Sequence, residues 1–196
     1  MPLSVSNVNR EPLHTRTLEV KSYQRDDDLI DLEAVLLDVK AYDFLKHGGL
    51  HKAGDPIHHM LLRVTIDDSF TVVHAEAAYE AAPYGEHCTC IAPSYQGLVG
   101  LNLLKDFKNK VKERFARLAG CTHLTELSYI LPTAAVQSMS RRWREKAQAA
   151  ERAGVVAAPK RPFQLDGCHA LDSRGPVALR FYPEWYVGPG EKAECN

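Results

Sequence analysis

Four short stretches of this chain carry donors that bind metals or act as nucleophiles: His58-His59, His87-Cys88-Thr89-Cys90, Cys121-Thr122-His123 and Cys168-His169. Thiolate and imidazole are the donors zinc prefers; four in tetrahedral array close a structural site, and three plus a water leave a catalytic one. The spacings C-x-C and C-x-H are not those of a zinc finger. The pieces lie in loops or at the ends of elements, where ligands from separate segments can converge. The expected metal ligands are therefore His58, Cys88, Cys121, His123, Cys168 and His169, for zinc or another divalent metal. Against this stands the common fate of a free cysteine, which is to be buried as a small hydrophobe. Pairing with histidine at three separate places weighs the set toward metal.

The same residues admit a metal-free chemistry. Cys121 stands immediately before an expected helix, where the positive end of the helix dipole lowers a thiol pKa. The catalytic candidates are then Cys121, His123 and Glu126. At a spacing of two, His123 cannot share a helical face with Cys121; it acts only if both belong to the capping turn, or His58 supplies the base. Glu126 is placed to orient a histidine. Metal binding is the preferred reading of the two.

Composition narrows the setting. The chain has 196 residues, 45% hydrophobic and 25% charged, which are ordinary globular values. A formal net charge of −1 gives no field toward nucleic acid or an anionic membrane. No apolar run approaches the roughly 20 residues of a membrane span. The first residues lack the basic-then-apolar pattern of a secretion signal, so a cytoplasmic protein is expected. Five cysteines, an odd count, then argue against a disulfide framework. Cys195 reads as an incidental terminal thiol and Cys90 as a weaker candidate than Cys88. A small-molecule substrate is compatible with this composition; nothing in it indicates an oligomeric state.

The elements that would position these groups follow from periodicity. Residues 1–12 read as a flexible leader, 13–186 as a single α+β domain and 187–196 as a tail. Leu13 to Tyr23 alternates as a half-buried strand does, and Arg25-Asp26-Asp27-Asp28 turns it into a second apolar stretch from Leu29 to Tyr42; a hairpin is the economical reading, with a helix over Leu32 to Leu37 as the alternative. Met60 to Ile66, a turn at Asp67-Asp68-Ser69, and Phe70 to Tyr79 form the clearest hairpin. Leu98, Leu101, Leu104, Val111, Phe115 and Leu118 predict a helix ended by Gly120. A second helix starts at Thr122, whose hydroxyl is placed to cap it, and Pro132 breaks it. Ser140 to Ala153 is helix-prone, Gly154 to Pro162 a linker, and Val177 to Tyr182 a returning strand. Strands first and helices later give an antiparallel sheet packed against C-terminal helices, an α+β class.

Other motifs are weak. Gly97-Leu98-Val99-Gly100 lacks the lysine of a phosphate loop, and neither a Gly-x-Ser-x-Gly elbow nor a His-Glu-x-x-His helix occurs. Arg141-Arg142-Trp143-Arg144 reads as a solvated helix face. Asp38, inside an apolar stretch, is the acidic residue expected to be a buried ion-pair partner of Lys40 or an arginine.

Leu13-His14-Thr15-Arg16, Asp38-Val39-Lys40, Pro56-Ile57-His58-His59-Met60, Ala82-Pro83-Tyr84 with Cys88, and Gly120-Cys121-Thr122-His123-Leu124-Thr125-Glu126-Leu127 resemble a bacterial family, domain of unknown function 2889 (DUF2889). Leu165 to Leu171 and Tyr182-Pro183-Glu184-Trp185-Tyr186 fit it too, so the resemblance runs from Leu13 to Tyr186. His59 stands where the family pattern has aspartate, which favours His58 as the functional group. The family name implies no activity. A fainter likeness is to iron–sulfur scaffold proteins of the IscU/SufU type, which hold zinc or a nascent cluster. It would map His58, Cys88 and Cys121 onto their three cysteines. Imidazole in place of a thiolate leaves zinc or another divalent metal as the implied ion. The leading expectation is a metal-binding protein, an enzyme on a small metabolite if one coordination position is open. Its rivals are a metal-free cysteine enzyme and a non-enzymatic accessory protein that docks through the 140–153 helix.

Overall fold

The structure, a computed structural model, describes residues 2–46, 48–154 and 160–189. By their contacts the residues fall into two compact units, 1–144 and 145–196. The candidate residues up to Glu126 belong to the first.

The first unit is built on four long antiparallel strands, β1 (His14–Gln24), β2 (Ile30–Lys40), β5 (Pro56–Ile66) and β6 (Val72–Ala81), in the order β1-β2-β5-β6. Two three-residue strands, β3 (Phe44–Lys46) and β4 (Gly49–His51), form a small hairpin between β2 and β5. Both expected hairpins are present. In the turn before β6, Asp67 Oδ1 accepts the amides of Ser69 at 2.8 Å and Thr71 at 2.9 Å. A short aspartate side chain does this readily.

Period-two alternation sorts the side chains. Ile30, Leu32, Ala34, Leu36 and Asp38 of β2 all point to the buried face. Their partners across the register are Ile66, Val64, Leu62, Met60 and His58 of β5. That face is hydrocarbon for four rungs and polar at the fifth. Each fully buried leucine in this layer contributes about 1.5–3 kcal/mol through its removal from water. β1 is an edge strand, exposed along nearly its whole length, and Arg16, Glu19 and Lys21 guard it against pairing with another chain.

Helices cover the buried face. After α1 (Glu86–Thr89) and a 3₁₀ turn over Ala92–Leu98 come α2 (Phe107–Phe115), α3 (Thr122–Ser128) and α4 (Leu131–Arg152). The single helix expected from Leu98 to Leu118 is not what forms. Asn102 instead forms an antiparallel bridge with Thr71: Leu101 O accepts the Val72 amide at 2.8 Å, and the Leu103 amide reaches Phe70 O at 2.9 Å. Leu101 and Leu103 are buried with Asn102 between them, so the period there is two. Helix α2 starts only at Phe107 and ends at Phe115, well before Gly120.

Helix α3 starts at Thr122 as expected, but its N-cap is Cys121 and no side chain caps it. Pro132 falls in the first turn of α4, the break between the two helices, where its missing N–H costs nothing. Arg142 is buried, contrary to a solvated face. It donates to Asp28 O at 2.7 Å and pairs with Asp68, tying α4 to both hairpin turns.

In the second unit, Asp166 Oδ1 accepts the Ser173 amide at 2.8 Å and the Asp166 amide reaches Leu171 O at 2.8 Å. The expected strand at Val177 to Tyr182 is instead a helix, α5 (Pro176–Phe181). Pro176 at the first helical position, with its φ already set, decides this over the β-prone composition. The linker expected at Gly154 to Pro162 lies partly, and Cys195 wholly, outside the described residues. Among the described residues no helix is long and apolar enough to cross a membrane.

Candidate functional site

At the polar end of the buried face, Asp38 is only 2% exposed. Burying a carboxylate demands partners, and three side chains supply them through four hydrogen bonds. Arg16, directly across the register on β1, donates Nε to Oδ1 at 2.8 Å and Nη2 to Oδ2 at 2.7 Å. This planar fork matches a carboxylate, as lysine would not. His14 Nε2 lies 3.0 Å from Oδ1, and His58 Nδ1 lies 2.9 Å from Oδ2. Lys40, the other partner considered for Asp38, donates to Tyr42 instead. Burial pushes the Asp38 carboxyl up, but Arg16 and His58 overcome that and hold it down at about 2. The remaining guanidinium nitrogen, Arg16 Nη1, reaches Glu126 Oε2 at 2.6 Å. Arg16 thus joins the edge strand, the buried carboxylate and helix α3.

Helix α3 brings the second histidine. Leu124, Leu127 and Ser128 are its buried face, and it packs on β2 and β5. His123 and Glu126, three apart, lie beside each other on the flank that meets β1 and β2. The His123 ring lies on that of His58, with centroids 3.9 Å apart and planes at 34°. Its Nε2 is 3.9 Å from Asp38 Oδ2 and its Nδ1 is 3.9 Å from Cys121 Sγ. One ligand atom each from Asp38, His58 and His123 lie within 4.8 Å of one another, a group able to hold a metal ion. Burial, then the neighbouring His123, lowers the His58 pKa against the pull of Asp38; the ring nitrogen that faces the carboxylate is Nδ1.

Cys121 is fastened from below. Tyr95, fully buried and stacked on Phe115 at 4.4 Å, takes the Cys121 amide at 3.0 Å and donates to its carbonyl at 2.8 Å. A Cβ on Gly120 would sit 2.6 Å from Phe115 Cβ and from its carbonyl oxygen. Only glycine lets the chain pass so close before turning into Cys121. Burial raises the thiol pKa, but His123, Tyr79 and the amides of Leu124 and His123 outweigh it and bring it to about 7. Tyr79, on the same face of β6 and opposite Met60, has a buried hydroxyl with no hydrogen-bond partner of normal geometry. Burial, then the Cys121 thiol it faces, pushes its phenol well above the ordinary range. Cys88 is half-buried at the end of β6 in α1 and also bears on that phenol. Cys90 is exposed.

Of the residues expected from sequence, His58, Cys121 and His123 come together, with Cys88 nearby. Glu126 is at the rim and bonds Arg16. Cys168 and His169 are exposed in the second unit. Sequence reasoning had Asp38 only as an ion-pair partner, and it missed Arg16, His14 and Tyr79 as neighbours of these groups. His59 points to the opposite face, where its Nδ1 meets Glu80 at 2.8 Å.

The family described as Protein of unknown function (DUF2889) matches residues 14–137. The chain is a member of the DUF2889 family. The matched span begins at His14 and holds every residue of the Asp38 cluster; it stops short of Cys168 and His169, so the resemblance noted for residues 165–186 falls outside it. No curated protein and no solved structure matches the chain, and the fainter likeness to iron–sulfur scaffold proteins gains no support.

Proposed function

We propose that the Asp38 cluster of this DUF2889 protein holds a divalent metal of the zinc class on His58 and His123, with Asp38 behind the rings rather than on the metal. The observation that carries this is the convergence of Asp38, His58 and His123 within 4.8 Å. The placing of Asp38 follows from its bonds. Its two oxygens already accept two hydrogen bonds from Arg16 and bond the rings of His14 and His58. A cation bound directly to it would have to sit against the Arg16 guanidinium. A carboxylate that fixes a histidine through one ring nitrogen leaves the other free and more basic, the usual support for a metal-binding imidazole. His58 then offers Nε2.

The side chains of His58 and His123 keep 18% and 22% of their surface exposed, which supports a position for water on the ion. Such an ion lowers the pKa of its water or polarises a carbonyl, so the protein is read as a metal-dependent enzyme on a small metabolite. The alternative is a metal-free enzyme with Cys121 as nucleophile and His123 as its base, favoured by the thiol held near 7 beside His123.

Elemental analysis and equilibrium dialysis of the full chain with zinc separate the two. One equivalent bound by wild type, and lost in His58→Ala and His123→Ala, is the expected result. No uptake by folded, reduced protein, together with rapid alkylation of Cys121 near neutral pH, would overturn the metal reading in favour of the nucleophile.

A further inference from the structure

Where the polar rung of the sheet ends, the strand register slips. Asp38 pairs with His58 but Val39 pairs with Pro56, so Ile57 has no partner on β2. A bulge of this kind re-aims a side chain and is frequent beside active sites. Ile57 lines a cleft of about 420 Å³, together with Phe44, Leu45 and Lys46 of β3 and Pro83 and Tyr84 just beyond β6. That volume suits a small organic ligand. The cleft therefore begins one peptide bond from His58.

One wall is preformed. Two three-residue strands do not hold as a hairpin by themselves, but the root of this one is pinned. Asp43 accepts the Ala53 amide and the Lys52 ammonium, both at 2.8 Å, and the Phe44 ring packs on His51 with centroids 5.0 Å apart. The side chains further along stay in water: Leu45 is 82% exposed, and Tyr84 across the cleft is 67% exposed. A ligand that fills the space removes both from water. Lys46 is the one charged group among the described lining residues, and no acid stands with it. One ammonium on apolar walls matches a single negative charge on an apolar body, rather than a dicarboxylate or a sugar.

We propose that this cleft binds the substrate of the His58–His123 site, and that the substrate is a small organic monocarboxylic acid with an aromatic or branched apolar body. Ile57, Leu45 and Tyr84 hold the body and Lys46 pairs with the carboxylate. The inference rests on the metal reading above for its chemistry and names the substrate class.

Amide chemical-shift titration of the full chain by nuclear magnetic resonance gives the test. The protein is kept metal-free, so that no carboxylate answers by binding an ion. The probes are 3-phenylpropanoate, its neutral amide and succinate. In wild type, 3-phenylpropanoate is expected to shift the amides of Leu45, Lys46, Ile57 and Tyr84. The amide should bind up to about fivefold more weakly, the contribution of an exposed ion pair, and succinate should leave these amides unmoved. Lys46→Met should bring acid and amide to equal affinity, and Leu45→Asp should weaken both at least about 10-fold. Both positions are exposed, so circular dichroism and zinc uptake should match wild type. No shift with the acid, equal affinity for acid and amide in wild type, or binding that both variants leave unchanged would overturn the inference, while zinc uptake judges the metal reading separately. Sedimentation with phosphatidylglycerol vesicles that is lost in Leu45→Asp, without binding of the acid, would make the hairpin a membrane contact instead. Binding of the acid by a protein that takes up no zinc would overturn the tie between the cleft and a metal.

Discussion

Two arginines bridge two acids each on opposite faces of the same sheet, and they sit in contrasting surroundings. On the outer face Arg63 stands across the register from Glu33 and Glu76, at 3.7 Å and 3.2 Å. All three side chains there are 43–58% exposed. On the inner face Arg16 joins Asp38 and Glu126 at 2.7 Å and 2.6 Å, and the Asp38 side chain is 3% exposed. The charges and the cross-strand logic are the same. Water is the difference: outside it screens and competes, while inside each bond replaces one that the carboxylate has lost. The inner cluster is thus a place where the sheet gives up hydrocarbon packing to hold imidazoles in fixed positions. That exchange makes sense for a site and brings nothing to a core.

The comparison breaks most visibly at Asp38. Asp38→Ala leaves the Arg16 guanidinium with Glu126 alone and frees the His58 ring, and it opens a small gap among packed neighbours. Removing one partner of a buried pair typically costs about 3–5 kcal/mol; with Arg16 partly exposed, about 3 kcal/mol in urea unfolding is the expected loss. A loss under about 1 kcal/mol would place the inner cluster in the same class as the outer one. The variant should also lose the zinc bound by wild type.

Acid titration sharpens the same contrast at a smaller scale. The Asp38 carboxyl is at about 2 when folded and near 3.9 when unfolded. Above pH 4 it is ionised in both states and its whole contribution is present. As pH falls below the unfolded value, the unfolded chain takes up the proton first and stability is lost between about pH 4 and pH 2, by roughly 2 kcal/mol. Exposed carboxylates such as Asp27 and Asp43, also lowered by their ion-pair partners, add to the slope. The quantity to read is therefore the difference between wild type and Arg16→Met. In that variant only His58 and His14 oppose the burial of Asp38, so its folded pKa rises and this part of the acid loss shrinks. Equal slopes in the two proteins would mean that Arg16 does not set the charge state of Asp38.

Much of the inner face is legible in the chain. Leu32, Ala34, Leu36 and Asp38 keep a strict period of two, so an acidic residue on a buried face stands out, and His58 is separated from His59 by one residue and hence by a whole sheet. Arg16 is not legible in the same way. Its strand is exposed, and only the register, which sets it opposite a residue 22 positions away, makes it a partner. Tyr79 reads as an ordinary strand aromatic until its hydroxyl is found without a partner. The stretch around Leu98, Leu101 and Leu104 fits a helical spacing as well as an extended one, and the open backbone groups of Phe70 and Val72 decide for the strand-like path. At Val177 to Tyr182 composition points to a strand, and Pro176 at the helix start overrides it.

The smallest effect belongs to the outer cluster, where it is most informative. Arg63→Ala removes two ion pairs at once, yet each is half in water and spans more than 3 Å. Exposed pairs contribute about 0–1 kcal/mol and are weakened further by salt. The expected change in urea unfolding is under about 1 kcal/mol at low salt, shrinking toward zero near 1 M sodium chloride, with metal uptake unaltered. Asp38→Ala should show far less salt dependence, since a buried pair is screened little. A large, salt-insensitive loss in Arg63→Ala would show that the outer face is also shielded from water, and the two clusters would then differ by sequence position rather than by solvent.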